Sequence, residues 1–99
     1  MEILIDNREF EWDDDKAELN WKKHGIKFET AAKVFGDENR IEEFDYLHSD
    51  YEDRWKVIGM VDKLLFVVYT ERSERLRLIS AREATVQEKR RYYVGEKNY

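Results

Sequence analysis

An unbroken apolar run in the second half of the chain, Leu64 to Tyr69, constrains the fold more than any other feature of the sequence. Its length and its β-branched and aromatic residues are typical of a strand, and the lack of polar positions indicates burial on both faces. Residues 55–60 alternate with period two before a short turn at 61–63, so we expect these segments to form a β-hairpin. A polar turn at residues 71–74 leads to another predicted strand at 75–81.

Capping residues indicate two helices ahead of these strands. Asp13 is the expected N-cap of the first helix, which has acidic residues in its first turn and basic residues in its last. This helix is predicted to end near His24, because Gly25 can adopt the left-handed conformation that stops a helix. A second helix is predicted over residues 28–35, where apolar side chains recur at i, i+3, i+4 and i+7.

Shorter elements are expected on either side of these helices and strands. A strand is predicted at residues 8–12, before the first helix. Thr85 and Glu88 form a Thr-x-x-Glu capping box, which opens a last helix predicted to run to about Val94. Residues 95–99 are expected to form a loose tail.

This order of elements predicts an α+β fold. A short N-terminal strand and two helices precede an antiparallel meander sheet of three to four strands, and a C-terminal helix follows it. The 99 residues fit a single domain, 1–99, with its core at about residues 8–93. No apolar run approaches the roughly 20 residues of a membrane span, and the first ten residues lack the apolar core of a signal peptide. We therefore expect a cytoplasmic protein without membrane contacts, which also suits the absence of cysteine.

Charge is distributed unevenly along the chain, whose net charge is −5. Residues 1–53 contain 17 acidic and 7 basic side chains, whereas residues 54–99 contain 11 basic and 6 acidic ones. Such a chain can present a bipolar surface, with one end suited to RNA and the other to a basic partner. An ordinary mixed surface explains the same counts, and charge alone does not decide between the two.

Arginines on and beside the predicted strands are the main candidates for chemistry. Arg54, Arg72, Arg77 and Arg82 offer the planar, permanent charge that stabilises a phosphoryl group during cleavage. Proton transfer to and from RNA oxygens needs an acid and a base, and the candidates are Lys23, His24, Tyr92 and Tyr93. Alternatively, the arginines only solubilise strand edges and His24 caps a helix. The sequence contains no phosphate-binding loop, nucleophile elbow or metal-ligand spacing, so we expect neither a metal nor a cofactor.

Several short motifs occur in a fixed order over about residues 8–93. They are Phe10-Glu11-Trp12-Asp13, Lys23-His24-Gly25-Ile26, Val68-Tyr69-Thr70 with Arg72, and Arg77-Leu78-Ile79-Ser80-Ala81-Arg82 with Glu88 and Tyr92. Each motif is weak alone, but together and at this spacing they are specific. In this respect the chain resembles the BrnT family of ribonuclease toxins from bacterial toxin–antitoxin pairs.

The resemblance implies a RelE-like fold and an RNA-cleaving activity that arrests translation. It further implies a BrnA-like antitoxin with a ribbon-helix-helix region, a 2:2 heterotetramer, and contact with DNA only through that antitoxin. The site residues carried over are Lys23, His24, Arg72, Arg77 and Arg82 for catalysis, and Arg54 and Tyr92 for substrate binding. The alternative is a non-enzymatic protein-binding module or co-repressor subunit, which the acidic first half of the chain favours.

Overall fold

A six-stranded mixed sheet with helices on both of its faces forms the fold in the computed structural model, which describes residues 1–5 and 7–97. The strands are β1 (Glu2–Ile5), β2 (Arg8–Glu11), β3 (Ile41–Phe44), β4 (Arg54–Val61), β5 (Lys63–Arg72) and β6 (Arg75–Glu83). The helices are α1 (Asp14–His24), α2 (Phe28–Ala32) and α3 (Val86–Lys97), and a 3-10 turn (Lys33–Gly36) follows α2 directly. The expected α+β class is confirmed.

The sheet is larger than predicted and is not wholly antiparallel. Its strand order is β1-β2-β6-β5-β4-β3, in which β3 to β6 are antiparallel neighbours but β2 runs parallel to β6. Where three to four antiparallel strands were expected, the sheet has six strands and one parallel pair. Residues 2–5, to which no element was assigned, pair with β2 in an edge hairpin. The parallel contact joins Phe10 to Leu76, and no local pattern of residues reports a pairing over such a separation.

The caps of α1 form as the sequence predicts. The side chain of Asp13 accepts hydrogen bonds from the backbone amides of Asp15 and Lys16. At the other end Gly25 has φ 67°, and its amide donates to the carbonyl of Trp21 at 2.8 Å. Local capping chemistry thus fixes both ends of this helix.

The second predicted helix tightens before it ends. Residues 28–32 are α-helical, and residues 33–36 form the 3-10 turn, which brings Val34 against β4. A Cβ atom on Gly59 of β4 would lie only 2.9 Å from the Cβ of Val34. Glycine is therefore required here for the helical layer to approach the sheet so closely.

The last helix is longer than predicted. Thr85 and Glu88 exchange hydrogen bonds through side chains and backbone amides, as expected for a capping box. The helix continues past Val94 to Lys97, so residues 95–97 are helical, while 98–99 of the predicted tail lie outside the described residues. A Cβ atom on Gly95 would lie 3.4 Å from the side chain of Ile41, so the last turn of α3 runs close to β3.

Apolar side chains form a cluster on each face of the sheet. The larger cluster holds α2 and the 3-10 turn against the sheet through Phe28, Val34 and Phe35, and Ala17 of α1 packs against it. The smaller one lies on the opposite face, where Tyr92 of α3 packs with Ile58. Within the described part of the chain, no helix has the length and apolar composition of a membrane span.

A single buried side chain attaches α1 to the free edge of β6. Beyond Arg77, no strand among the described residues lies on the outer side of β6, and Asn20 of α1 takes that place. The amide group of Asn20 donates to the carbonyl of Ala81 at 2.8 Å, and its oxygen accepts from the Ala81 amide at 3.0 Å. The same side chain donates to the carbonyl of Ile26 at 3.0 Å. The C-terminal half of α1 is thereby held beside the outer edge of β6.

Candidate active site

Basic side chains collect on the sheet face opposite α1 and α2. Residues directly opposite in an antiparallel pair point to the same face, so the strand register defines rows across β4, β5 and β6. Three rows on this face are Arg54–Thr70–Arg77, Lys56–Val68–Ser80 and Ile58–Phe66–Arg82. We call this surface the arginine face. α3 covers one end of it and leaves the rest open.

A pocket of about 350 Å³ lies on the arginine face. It is lined by Asp45, Leu47, His48, Arg54, Lys56, Phe66, Val68, Ile79, Ser80 and Arg82. The strands supply its floor and its cations, and the β3–β4 loop at residues 45–53 supplies one wall. We call it the arginine pocket.

Hydrogen bonds to the start of β4 hold the β3–β4 loop in place. The amide of Asp45 donates to the carbonyl of Arg54 at 2.8 Å. The hydroxyl of Ser49 donates to the Asp45 carbonyl at 2.6 Å and accepts from the Arg54 amide at 2.9 Å. The carboxylate of Asp45 then accepts from Nδ1 of His48, with distances of 3.0 and 3.2 Å to its two oxygens.

Arg82 is held from two directions. Its guanidinium makes a two-point contact with Glu88, at 2.8 and 2.9 Å, and lies 4.1 Å from the ring centre of Phe66. Burial would raise the pKa of Glu88, but hydrogen bonds from Arg82 and the Thr85 amide outweigh burial and lower it. The pair therefore stays ionised at neutral pH and presents an oriented guanidinium to the pocket.

Arg54 differs from the other cations of the arginine pocket. Lys56 lies 3.6 Å from Glu43, a carboxylate that Arg91 also contacts at 2.6 Å. The guanidinium of Arg54 makes no hydrogen bond or ion pair with residues 1–5 or 7–95. A partly buried guanidinium without such a partner, in the same pocket as the oriented Arg82, is suited to binding an anion with the geometry of a phosphate.

Comparison with known proteins assigns the chain to a family. A family model described as "Ribonuclease toxin, BrnT, of type II toxin-antitoxin system" matches residues 12–88, well over half of the chain. The chain belongs to the BrnT family. This BrnT-family chain is thus a ribonuclease toxin, and its membership in a type II toxin–antitoxin system implies an antitoxin partner.

The fold has a counterpart among solved BrnT structures. The crystal structure of the Brucella abortus ribonuclease toxin BrnT matches with a TM-score of 0.57 and 24% sequence identity, over 75% of this chain and 92% of that one. At this identity the likeness shows a shared fold only. No curated protein gives a significant match.

The four predicted arginines of this BrnT-family chain lie on one sheet face, but only two line the pocket. Arg54 and Arg82 are the pocket residues. Arg77 follows Arg54 in the same row and forms an ion pair with Glu11 of β2. Arg72 lies two residues beyond Thr70 at the end of β5, where it contacts Glu52 at 3.2 Å.

Lys23 and His24 lie in a neighbouring groove of about 570 Å³ between α1 and β6. Both side chains are exposed. Ile79 and Ser80 line this groove as well as the arginine pocket, so the two depressions adjoin along β6. The structure therefore brings the predicted proton-transfer candidates near the predicted phosphate-binding arginines without placing them in one pocket.

Tyr92 lies apart from the arginine pocket. It is 3% exposed, packs with Ile58 and Leu64, and donates its hydroxyl to Asp37 at 2.6 Å. These contacts account for its presence through packing of α3, and its role in substrate binding stays a prediction.

Asp45 and His48 are site residues that the sequence did not indicate. They stand three apart in a polar stretch, with no periodicity to show that the chain folds back against β4. The only local signal is the Asp-x-x-His-Ser series, in which short polar side chains tend to hydrogen-bond nearby backbone. Lys56 and Phe66 were also missed, because their strand positions predict packing and solubility equally well.

Proposed function

We propose that this chain cleaves RNA in the arginine pocket without a metal, by attack of the substrate's own 2′-hydroxyl, and so arrests translation. The observation that carries the proposal is the unpaired Arg54 guanidinium, which lines the same pocket as the oriented Arg82. Membership in a ribonuclease toxin family supplies the substrate class. Two guanidinium groups can stabilise the charge that builds on phosphoryl oxygens as the reaction proceeds.

The reaction balances within the substrate and a few side chains. A new bond forms between O2′ and phosphorus, the bond from phosphorus to O5′ breaks, and a 2′,3′-cyclic phosphate results. One group takes the proton from the 2′-hydroxyl and another gives a proton to O5′. We propose that Arg54 and Arg82 hold the scissile phosphate, that Arg72 and Arg77 attract neighbouring phosphates, and that Lys23 or His24 assists proton transfer from the adjoining groove.

A comparison of substrates tests the chemistry. Purified protein is incubated with a single-stranded RNA, with its all-deoxy analogue, and with the RNA in the presence of EDTA. We expect cleavage of the RNA with and without EDTA, with a cyclic phosphate on the 5′ product, and no cleavage of the analogue. Cleavage of the deoxy strand, or loss of activity in EDTA, contradicts the mechanism.

We further propose that the antitoxin carries a ribbon-helix-helix region and forms a 2:2 heterotetramer with this chain, which then contacts DNA only through the antitoxin. The support is the open arginine face, because an inhibitor of phosphate binding must cover or block it. Acidic or apolar antitoxin segments suit this face, and exposed Asp14, Asp15 and Glu18 on α1 would repel DNA held nearby. Light scattering gives the stoichiometry. Full RNA cleavage by the saturated complex refutes the occlusion.

A non-enzymatic binding module is the second candidate. The observation in its favour is that ion pairs already engage most cations of the arginine face, including Lys56, Arg72, Arg77 and Arg82. Expression in a bacterial host separates the two. Growth arrest that Arg82→Ala relieves at equal protein level supports the enzyme, whereas abundant folded protein without toxicity supports the module.

A further inference from the structure

We infer that His48, held by the buried carboxylate of Asp45, is the base that accepts the proton of the 2′-hydroxyl in the arginine pocket. The inference rests on the proposed ribonuclease function and assigns a residue to one of its two proton transfers. It leaves the proton donation to O5′ to another group, for which Lys23 and His24 in the adjoining groove stay candidates.

Asp45 is buried and His48 is exposed, as expected if a fixed carboxylate orients an accessible imidazole. The side chain of Asp45 is 8% exposed, whereas that of His48 is 65% exposed and lines the pocket. The loop bonds of Ser49 and of the Asp45 amide fix the carboxylate relative to β4, so the imidazole is held by a rigid anchor. A buried carboxylate with no such partner would be costly, which gives the contact a reason to persist.

The contact also selects the ring nitrogen that is free to react. Nδ1 of His48 faces both oxygens of Asp45, so in the neutral ring Nδ1 carries the hydrogen and donates it. Nε2 is then the unprotonated nitrogen, and it makes no hydrogen bond with the described part of the chain. A carboxylate–imidazole pair arranged in this way presents Nε2 as a proton acceptor.

Arg54 connects this base to the phosphate. Its backbone binds both Asp45 and Ser49, so the loop that carries His48 and the strand that carries the unpaired guanidinium form one hydrogen-bonded unit. A phosphate held by Arg54 and Arg82 would lie in the pocket whose wall carries His48. His24 has no comparable carboxylate contact among the described residues and faces a separate groove.

The proton transfer balances without a further reactant. Nε2 of His48 takes the proton from the 2′-hydroxyl as O2′ bonds to phosphorus, and the ring becomes an imidazolium next to the ionised Asp45. The electron pair of the breaking bond leaves with O5′, which a second group protonates. Solvent removes the proton from His48 after the product leaves.

Single-turnover cleavage of a mixed-sequence RNA tests this role. Wild-type cleavage of the RNA, but not of its all-deoxy analogue, first establishes the proposed function independently of His48. His48→Gln is then expected to slow the chemical step by roughly 100-fold or more while the RNA dissociation constant stays within about twofold. Asp50→Asn, on the same loop and exposed, is the matched control and should cleave at the wild-type rate.

Two measurements distinguish a base from a structural residue. Added imidazole should restore cleavage to His48→Gly, because a small base can fill the vacated position, and should not accelerate the wild type. Asp45→Asn should slow cleavage with unchanged RNA binding, and it should cost nothing further in the His48→Gly background if Asp45 acts only through His48. Thermal unfolding verifies that each variant is folded.

The contrary results are equally defined. Wild-type rates for His48→Gln overturn the inference. Joint loss of cleavage and RNA binding, without rescue by imidazole, overturns it too, because His48 would then be a phosphate contact.

Discussion

At the scale of single residues, the cations of one sheet face differ in whether a partner already engages them. Arg82 has Glu88 and Phe66, and Arg77 has Glu11, whereas Arg54 has neither a carboxylate nor a ring among the described residues. Removal of a paired arginine leaves a partly buried carboxylate without its charge partner. Removal of Arg54 leaves no described carboxylate without a partner. Substitution of Arg54 should therefore affect activity alone, whereas substitution of a paired arginine such as Arg82 should affect both activity and stability.

Arg54→Ala should abolish most of the cleavage while it preserves the fold. We expect at least a 10- to 100-fold loss in kcat/KM and a change in unfolding free energy within about 0.5 kcal/mol.

Arg82→Ala should lose activity and also about 1–3 kcal/mol of stability, since Glu88 loses its partner. Urea unfolding and single-turnover cleavage measure both quantities. Arg90→Ala, an exposed arginine of α3, is the charge-matched control, and an equal loss of activity there contradicts a role specific to the pocket.

Asp37 predicts part of the pH dependence of stability. Burial raises its pKa, but hydrogen bonds from the Tyr92 hydroxyl and the Met60 and Asn39 amides outweigh burial and lower it. A carboxyl whose pKa falls on folding stabilises the protein fully above its unfolded pKa, near 4, and this stabilisation is lost as the pH falls through the folded pKa.

The substitution Asp37→Asn should therefore destabilise the protein most at neutral pH. We expect a loss of about 1–3 kcal/mol near pH 7, which shrinks as the pH falls below about 4. Urea unfolding from pH 3 to pH 7 measures the difference, with Asp50→Asn, exposed on the β3–β4 loop, as the control. A difference that is constant over this range would show that the charge of Asp37 contributes nothing.

At the scale of elements, those that depend on residues close together in the sequence were predicted, and those that depend on residues far apart were not. The ends of α1 were predicted because Asp13 and Gly25 act within one helical turn. The β4–β5 hairpin was predicted because its turn and its strands are contiguous. The parallel β2–β6 contact and the position of the β3–β4 loop were not, because their partners lie far away in the sequence and leave no local periodicity.

The element that closes the free edge of β6 supplies a stability test. Asn20→Ala removes three hydrogen bonds and leaves the amide and carbonyl of Ala81 without them, so we expect a loss of about 2–4 kcal/mol. Asn20→Asp should be worse at neutral pH, because a carboxylate would face two carbonyl oxygens. Thermal and urea unfolding measure both. Leu19→Ala, exposed on the same helix, should change stability by less than about 0.5 kcal/mol, and an equal effect there contradicts the assignment.

At the scale of the whole molecule, the two halves of the chain interleave. Strands from the acidic first half lie at both edges of the sheet, and the basic strands β4, β5 and β6 lie between them. Carboxylates and cations therefore meet across strand boundaries, as Glu9 meets Arg75, Glu11 meets Arg77 and Glu43 meets Lys56. The bipolar surface considered from the sequence is largely neutralised on the arginine face by this arrangement.

This neutralisation predicts a weak salt dependence of RNA binding. If Arg54 and Arg82 neutralise the RNA while Arg72 and Arg77 keep their ion pairs, binding releases the counterions of about one or two phosphates. For a single-stranded RNA the slope of log K against log salt concentration should therefore be only about −0.7 to −1.4. Fluorescence anisotropy with a labelled RNA over a salt series measures it, and Arg54→Ala should flatten it. A slope steeper than about −4 would show that the ion pairs open to bind RNA.

The contacts of β6 with the beginning of the chain also bear on when a molecule of this toxin becomes complete. Glu11 can form its ion pair only after Arg77, 66 residues later, has been synthesised. Asn20 likewise needs Ala81, 61 residues later. The ribosome therefore synthesises β1, β2 and α1 long before β6, the strand against which they pack. Because Arg82 lies on β6, the arginine pocket is incomplete until that strand has been made. On the proposed function, a nascent chain is harmless to the ribosome that makes it. The antitoxin then has to capture finished molecules, and its supply can follow translation instead of preceding it.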